Sequence, residues 1–213
     1  MFRRFNDKPK ENPSATAPDL SAISGQTELR VTGVYGDINE DRCCDTMYGL
    51  LALHSTSRSL IVSGGTDEEP EYEEIVQPIS FYVSTHGGHA AEMFGLYDTM
   101  RMIREETPIH TYGVGKVMSA GVLLLAAGTP GQRMIGANCR VMIHGVAAGQ
   151  SGHIADMENE FAETKLTQKM YIQALASETK MEEKYIKKLV DKRTNIYFDA
   201  EEAVKLGIAD IIF

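Results

Sequence analysis

Residues at the boundaries of predicted elements have the chemistry needed to break an acyl bond. Ser119 opens an almost wholly apolar segment after a glycine-containing turn, and His144 directly follows the apolar run at residues 140–143. A serine hydroxyl attacks a carbonyl carbon when a histidine accepts its proton. Gly87 and Gly88 follow another predicted strand, and backbone N–H groups without a neighbouring side chain are suited to stabilising an oxyanion. The residue types therefore indicate nucleophilic hydrolysis or acyl transfer.

Each of these residues also has a structural interpretation, and position alone leaves both open. A serine before a helix commonly caps it, a glycine pair commonly forms a turn, and a histidine at a strand end is commonly structural. His86 and His89 frame the glycine pair as H-x-x-H, a weak metal signal for which the sequence shows no third ligand. We expect no metal and no resident cofactor.

Composition excludes several classes of protein. The chain has 213 residues, 43% hydrophobic and 24% charged, which predicts one folded domain with a sizeable core. Lys and Arg number 21 against 30 Asp and Glu, so the net charge of −9 gives no general attraction to nucleic acid or anionic lipid. Cys43, Cys44 and Cys139 form no C-x-x-C, which argues against a disulfide framework or a zinc site. With no apolar run of about 18 residues, we expect a cytoplasmic protein with neither a membrane nor nucleic acid as partner.

Strands and helices alternate along the chain and must position the chemical residues. The predicted strands cover residues 29–35, 79–83, 109–114, two short runs within 133–143, and 208–213. The predicted helices cover residues 40–53, 90–105, the buried segment opened by Ser119, 154–177, a helix to about 191, and 200–206. This order predicts an α/β fold with a largely parallel sheet covered by helices.

Helix caps and composition mark the boundaries of the domain. Asn39 is a predicted N-cap, and Thr179 with Glu182 and Asp199 with Glu202 are predicted capping boxes. Residues 1–27 lack an apolar period and predict a flexible N-terminal arm before a domain at 28–213. Residues 55–77 interrupt the pattern, because residues 67–74 hold six acids and no base, and they predict a solvated acidic loop.

Several segments, taken in order and spacing, resemble the proteolytic subunit of Clp protease, the ClpP family. They are THGG at 85–88, LYDTM at 96–100, GKVMSAG at 115–121, AGT at 127–129, NCRVMIH at 138–144 and EAVKLGIAD at 202–210. The resemblance extends over about residues 29–213. It implies repeated ββα units in the spiral shared by ClpP and crotonase folds, with the helix at 154–177 protruding as a handle. It also implies a homo-oligomer of two stacked seven-membered rings, a tetradecamer.

The resemblance also implies roles for individual residues. Ser119 matches the nucleophile and His144 the general base. The N–H groups of Gly87 and Ala120 match the oxyanion hole.

Asn195 stands where the family usually has the aspartate of its catalytic triad, as counted back from the match at 202–204. An amide can orient the imidazole but cannot lend charge to the imidazolium, and this change in a serine triad costs about 10⁴ in turnover in a chymotrypsin-type enzyme. Asp191 and Asp199 are nearby rivals, although Asp199 has a simpler interpretation as a helix cap and Asp191 as a solvated charge at a helix end. We therefore expect weak activity.

The resemblance implies particular partners, and two other functions stay open. The substrate would be unfolded polypeptide, added as a strand beside residues 145–152, and ATP would be used by a separate AAA+ Clp ATPase that docks near Tyr82. One alternative is a ring subunit with little or no catalysis and a structural role. The other is a crotonase-type acyl-CoA enzyme, which shares the spiral architecture and a two-amide oxyanion hole without needing the pair of Ser119 and His144.

Overall fold

The computed structural model describes residues 29–66, 69–149 and 151–213, so the predicted arm at 1–27 lies outside them. The strands are β1 (Val31–Ile38), β2 (Arg58–Gly65), β3 (Pro70–Val76), β4 (Ile79–Gly88), β5 (Ile109–Met118), β6 (Arg133–Ile135), β7 (Arg140–Ile143), β8 (Ile196–Phe198) and β9 (Ile211–Ile212). The helices are α1 (Glu40–Ser55), α2 (Ala90–Arg104), α3 (Ala120–Ala126), α4 (Ile154–Glu178), α5 (Glu183–Val190) and α6 (Ala200–Lys205). Strands and helices interleave along the chain, which confirms the predicted α/β class.

Seven strands form one sheet that carries the candidate chemistry. Its order is β1-β4-β5-β6-β9, with β7 paired to β5 and to β8. Every pair in this sheet is parallel except β7 with β8. The sheet is thus largely parallel, as predicted.

Strand β5 is longer than predicted, because it changes neighbour along its length. The sequence predicts an end at residue 114, before Gly115, yet the strand continues to Met118. Residues 111–113 pair with β6, and residues 116–118 pair with β7. Gly115 has a φ of +67° between the two paired stretches, a conformation that glycine adopts without steric cost.

The core lies between this sheet and its helices. All seven residues of α3 are buried, so this helix is apolar on every side, as its sequence predicts. Helix α2 buries Met93, Met100 and Ile103 along one side, the pattern of an amphipathic helix. Helix α2 follows the glycine pair at the end of β4, and α3 follows Ser119, so the two helices hold both segments in place.

The predicted acidic loop at residues 55–77 is wrong in its local structure. Strands β2 and β3 pair as an antiparallel hairpin, with Val62 opposite Tyr72. Glutamates occupy three of the seven positions of β3, and this acidic composition concealed a strand. Arg58 forms ion pairs with Glu74 (3.3 Å) and Glu106 (3.1 Å) at the base of the hairpin. Residues 67 and 68, which belong to the acidic run, lie outside the described residues.

Replacing residues 58–76 by a short linker is expected to leave hydrolysis of a small peptide unchanged. The hairpin forms a sheet separate from the one that carries Ser119, and its ion pairs are exposed and weakly stabilising. The measurement is kcat/KM for a short fluorogenic peptide, at matched oligomeric state. A large loss would show that the hairpin supports the active site.

Two of the three predicted helix caps are confirmed. The Asn39 side chain accepts a hydrogen bond from the Arg42 N–H (3.1 Å), and Asp199 forms a complete capping box with Glu202. The box predicted at Thr179 is wrong, because α5 begins at Glu183 and has no side-chain cap. The Thr179 hydroxyl instead donates to the Leu175 carbonyl (2.6 Å) at the end of α4.

Two further elements differ from the prediction. The strand expected at 208–213 is reduced to β9, and β8 was not predicted at all. Strand β8 has three residues, too few for a clear apolar period.

Helix α4 has buried residues only in its final third. Its buried residues are Tyr171, Ile172, Leu175 and Glu178. The preceding turns are mainly exposed, including large apolar side chains at Ile154, Phe161, Leu166 and Met170. The helix therefore has the form of the expected handle. None of the helices within the described ranges is both long and apolar enough to cross a membrane.

Candidate active site

The backbone of Ser119 is held in a strained conformation by neighbouring elements. Its φ of +52° is rare for a residue other than glycine, and such strain occurs preferentially at functional sites. The Ser119 N–H donates to the Met142 carbonyl (2.7 Å), and the Ser119 carbonyl accepts from the Tyr171 hydroxyl (3.0 Å). Ser119 occupies the N-cap position of α3, yet its side chain makes no capping hydrogen bond. The structural interpretation of this serine as a cap is therefore wrong.

Tyr171 is a site residue that sequence reasoning missed. Burial raises the pKa of Tyr171 well above its usual range, so its hydroxyl remains a hydrogen-bond donor to Ser119 at neutral pH. The two residues are 52 positions apart. The packing of α4 against α3 brings Tyr171 and Ser119 together, and no sequence motif predicts this contact.

Gly87 approaches the serine side chain closely. A Cβ at this position would lie 2.7 Å from Ser119 Cβ, and Gly87 has a φ of +107°. Both features require glycine. The glycine pair is thus not a simple turn, since Gly87 leaves the space that the serine side chain occupies.

Ser119 and His144 lie at the corresponding ends of neighbouring strands. β5 and β7 are parallel, and Met118 is the register partner of Met142. Ser119 is the first residue after β5, and His144 is the first residue after β7. Because adjacent strands lie about 4.8 Å apart, the serine and the histidine emerge at one edge of the sheet.

Asn195 lies beside His144, directly before strand β8. β7 and β8 are antiparallel, with Ile143 opposite Ile196. Extending that register by one residue puts His144 opposite Asn195, and opposed residues in an antiparallel pair have Cα atoms about 4.5–5.5 Å apart. The three residues selected from the sequence therefore flank three neighbouring strands at the same end of the sheet: Ser119 and His144 follow β5 and β7, and Asn195 precedes β8.

Two cavities meet at His144. One, of about 760 Å³, is lined by Ser119, Ala120, His144 and Tyr171 among others. The second, of about 560 Å³, is lined by His144 and Asn195 among others. The histidine thus borders both the space in front of the serine and the space in front of the asparagine.

No hydrogen bond joins His144 to Ser119 or to Asn195, all of which are among the described residues. Catalytic hydrogen bonds are often open in a free enzyme and close only with substrate bound. The structure therefore brings the three residues together without completing a triad, and their roles stay predictions.

The rival aspartates have other partners. Asp191 forms an exposed ion pair with Lys187 (2.6 Å), and Asp199 caps α6. Asp191 also lines the cavity that holds Asn195, so proximity alone does not separate it from the asparagine. The register across β7 and β8 favours Asn195 as the partner of His144.

The two predicted oxyanion donors differ in the structure. Ala120 begins α3 and lines the serine cavity, and the first N–H groups of a helix have no acceptor within it. The Gly87 N–H instead donates to Thr85 Oγ1 (2.9 Å). Gly88, which belongs to the glycine pair but was not assigned a role by the family resemblance, lines the serine cavity and is a second candidate donor.

Cysteine and metal chemistry have little support at this site. Burial raises the pKa of the Cys139 thiol to about 11, and burial together with the Glu92 charge does the same for Cys43, so both thiols are protonated and unreactive. Within residues 29–66, 69–149 and 151–213, no three His, Cys, Asp or Glu side chains form a group that could hold a metal ion. The expectation of no metal stays a prediction.

Comparison with known proteins identifies the family. A sequence model of the family described as Clp protease matches residues 71–213. The chain is 34% identical over 185 residues to ATP-dependent Clp protease proteolytic subunit 1 of Corynebacterium glutamicum, covering 85% of this chain and 84% of the relative. The protein of the same name from Corynebacterium diphtheriae is also 34% identical, with 85% of this chain and 83% of that relative covered.

A third relative is more distant in source and matches over a shorter region. It is ATP-dependent Clp protease proteolytic subunit 1 of Salinibacter ruber, 36% identical over 140 residues, which are 66% of this chain and 58% of the relative. These matches do not favour the crotonase-type alternative or the purely structural ring subunit. The chain belongs to the Clp protease family, whose members are serine peptidases.

Proposed function

We propose that this Clp-type protease subunit is an endopeptidase that hydrolyses unfolded polypeptides with Ser119 as nucleophile. The observation that carries the proposal is the sheet register, in which Ser119 follows β5, His144 follows the neighbouring β7, and Asn195 precedes β8, the antiparallel partner of β7. The strained, uncapped Ser119 supports it independently.

The mechanism follows from this arrangement. Ser119 Oγ attacks the scissile carbonyl carbon while His144 accepts the hydroxyl proton, and Asn195 holds the imidazole. The Ala120 N–H and one N–H of the glycine pair stabilise the oxyanion. If that second donor is Gly87, its N–H must release Thr85 Oγ1 and donate to the oxyanion instead. His144 then protonates the leaving amine. In the second half of the reaction, water attacks the acyl carbon while His144 accepts its proton, and His144 returns that proton to Ser119 Oγ as the product leaves.

Replacing Asn195 by aspartate is expected to raise the turnover of a small peptide by about 10-fold or more, because a carboxylate stabilises the imidazolium that forms on His144. The measurement is kcat for a fluorogenic peptide at neutral pH. Asn138→Asp is a matched control, since it adds the same charge at an exposed position between β6 and β7. No change in Asn195→Asp, together with lost activity in Asp191→Asn, would assign the role to Asp191.

The segment after His144 is suited to binding an extended substrate backbone. Residues 144–149 have no regular secondary structure, and Val146 is tied to α4 by a hydrogen bond from its N–H to Gln168 Oε1 (3.1 Å). An extended peptide can add as a strand along such a segment, with most specificity coming from nearby side-chain cavities. Gln150, within the predicted groove at 145–152, lies outside the described residues.

The assembled protease is proposed to be two stacked heptameric rings in the cytoplasm. The exposed apolar residues of the handle α4 support an interface with other subunits. Tyr82 is partly exposed and stacks on Tyr112, with 4.7 Å between ring centroids, which offers an apolar surface for a loop of a separate AAA+ ATPase. That ATPase would use the ATP, since this chain is proposed to need no cofactor.

Sedimentation velocity combined with a peptidase assay tests this proposal. We expect a large ring species at micromolar concentration that slowly hydrolyses a short peptide. A single species near 23.5 kDa would contradict the assembly. Intact rings without any hydrolysis would contradict the peptidase and favour a structural subunit.

A further inference from the structure

We infer that Glu92 makes the proposed peptidase prefer a lysine or arginine side chain on the residue whose carbonyl is attacked. The inference rests on the proposed function and adds a substrate class to it. Glu92 lies in the first turn of α2, four residues after Gly88, and lines the same cavity of about 760 Å³ as Ser119 and His144. That volume is large enough to admit a long side chain beside the nucleophile.

Among the described residues, the one ion-pair neighbour of Glu92 is the exposed His89. The Oε2 atom of Glu92 is buried and has no hydrogen-bond partner among those residues. The ring nitrogen Nδ1 of His89 is 3.7 Å from Oε2, beyond hydrogen-bond distance, and the His89 side chain is 73% exposed. The Glu92 side chain as a whole is 24% exposed, so a cation in the cavity reaches the carboxylate through its exposed part and gains a charge-assisted hydrogen bond.

The other charged residue that lines the cavity is also negative. Among its described lining residues there is no lysine or arginine, and Glu160 of α4 adds a second carboxylate. A substrate ammonium or guanidinium group therefore meets no competing or repelling cation other than a protonated histidine. A neutral side chain of the same length would fill the cavity but leave the Glu92 carboxylate unpaired.

The size of the preference follows from hydrogen bonds to charged groups, which change equilibria by about 10-fold to 100-fold. The backbone of an unfolded substrate is the same at every position, so this cavity would supply the side-chain discrimination. Preference for basic residues is expected to weaken as salt is added, because a partly exposed ion pair is screened.

Two diphenyl phosphonates test the inference with the full chain. One carries a lysine side chain and the other its norleucine isostere, which lacks only the terminal amine. In each reaction Ser119 Oγ forms a bond to phosphorus, phenoxide leaves, and the serine proton passes to His144. The measured quantity is the second-order rate constant of Ser119 labelling for each probe, followed by intact mass.

We expect the lysine probe to react at least about 10-fold faster than the norleucine probe, and Glu92→Gln to bring this ratio close to one. Glu158→Gln is the matched control, since Glu158 is exposed on the same helix as Glu160 and outside the cavity lining, and it should keep the parent ratio. The ratio in the parent protein should also fall between 50 mM and 500 mM salt. This second measurement uses only the parent protein, so it does not depend on whether a variant folds.

Three outcomes would overturn the inference. Equal labelling of the parent protein by both probes would overturn it while leaving the peptidase assignment intact. A ratio unchanged in Glu92→Gln, or abolished only in Glu160→Gln, would show that Glu92 is not the residue responsible. No labelling of Ser119 by either probe would overturn the proposed function and, with it, this preference.

Discussion

Ser119→Ala is expected to reduce peptide hydrolysis to background while leaving assembly and stability intact. The change removes only the attacking oxygen, and loss of the nucleophile in a serine triad lowers turnover by about 10⁴-fold or more. Alanine and serine meet the same steric cost at a φ of +52°, so the backbone has no reason to rearrange. The Tyr171 hydrogen bond to the residue 119 carbonyl does not involve the side chain and should persist.

Ser177→Ala is the matched control for this variant. Ser177 is exposed on α4, and its hydroxyl donates only to the Ala174 carbonyl of its own helix (2.8 Å). It should retain the parent rate with the same fluorogenic peptide. Hydrolysis by Ser119→Ala at the parent rate would remove the peptidase mechanism proposed for this chain.

Glu178→Ala is expected to destabilise the fold by about 3–5 kcal/mol, because it removes the only carboxylate among the described residues that neutralises the largely buried Arg104. The Glu178 side chain is only 4% exposed and binds Arg104 through two hydrogen bonds, at 2.8 and 3.1 Å. It also accepts hydrogen bonds from the Tyr97 hydroxyl (2.9 Å) and from Arg101 (3.2 Å). These contacts attach the end of α4 to α2. Losing them should also make α4 less firmly held, including Tyr171, which binds the Ser119 carbonyl.

Urea unfolding at fixed protein concentration measures this effect, because oligomer stability depends on concentration. Arg101→Ala should cost less than about 1 kcal/mol, since the Arg101 side chain is 44% exposed. Glu163→Ala, an exposed carboxylate on α4, should change the midpoint little. Equal midpoints for Glu178→Ala and Glu163→Ala would show that the buried cluster does not stabilise the domain.

The sequence was sufficient to predict the α/β class and most helices, because their apolar periods are strong. Helix α3 is apolar on all sides and could only be buried. The hairpin of β2 and β3 was missed because six acids in residues 67–74 dominate its composition. Its strands also stabilise each other rather than packing into the main sheet.

The candidate site was predicted only as a set of separate residues. Ser119 and His144 were visible because each follows a recognisable strand, whereas the strand after Asn195 is too short to predict. Gly87 was selected over Gly88 from the motif, and the hydrogen bond that occupies the Gly87 N–H depends on the folded position of Thr85.

Long-range polar contacts were not predictable. Glu178 and Arg104 are 74 residues apart, and neither lies in a motif. Such pairs depend on how α4 crosses the domain, a property that the apolar period of one helix does not specify.

Covalent capture with a β-lactone probe tests the central claim most directly, because opening the lactone by a serine leaves a stable acyl adduct on the attacking oxygen. The assembled protein is incubated with the probe, digested, and the adduct is located by peptide mass spectrometry, with Ser119→Ala and Ser177→Ala treated in parallel. We predict one adduct, on Ser119, present in the parent and in Ser177→Ala and absent from Ser119→Ala. An adduct on another residue, or intact rings that acquire none, would contradict the assignment of Ser119 as the nucleophile.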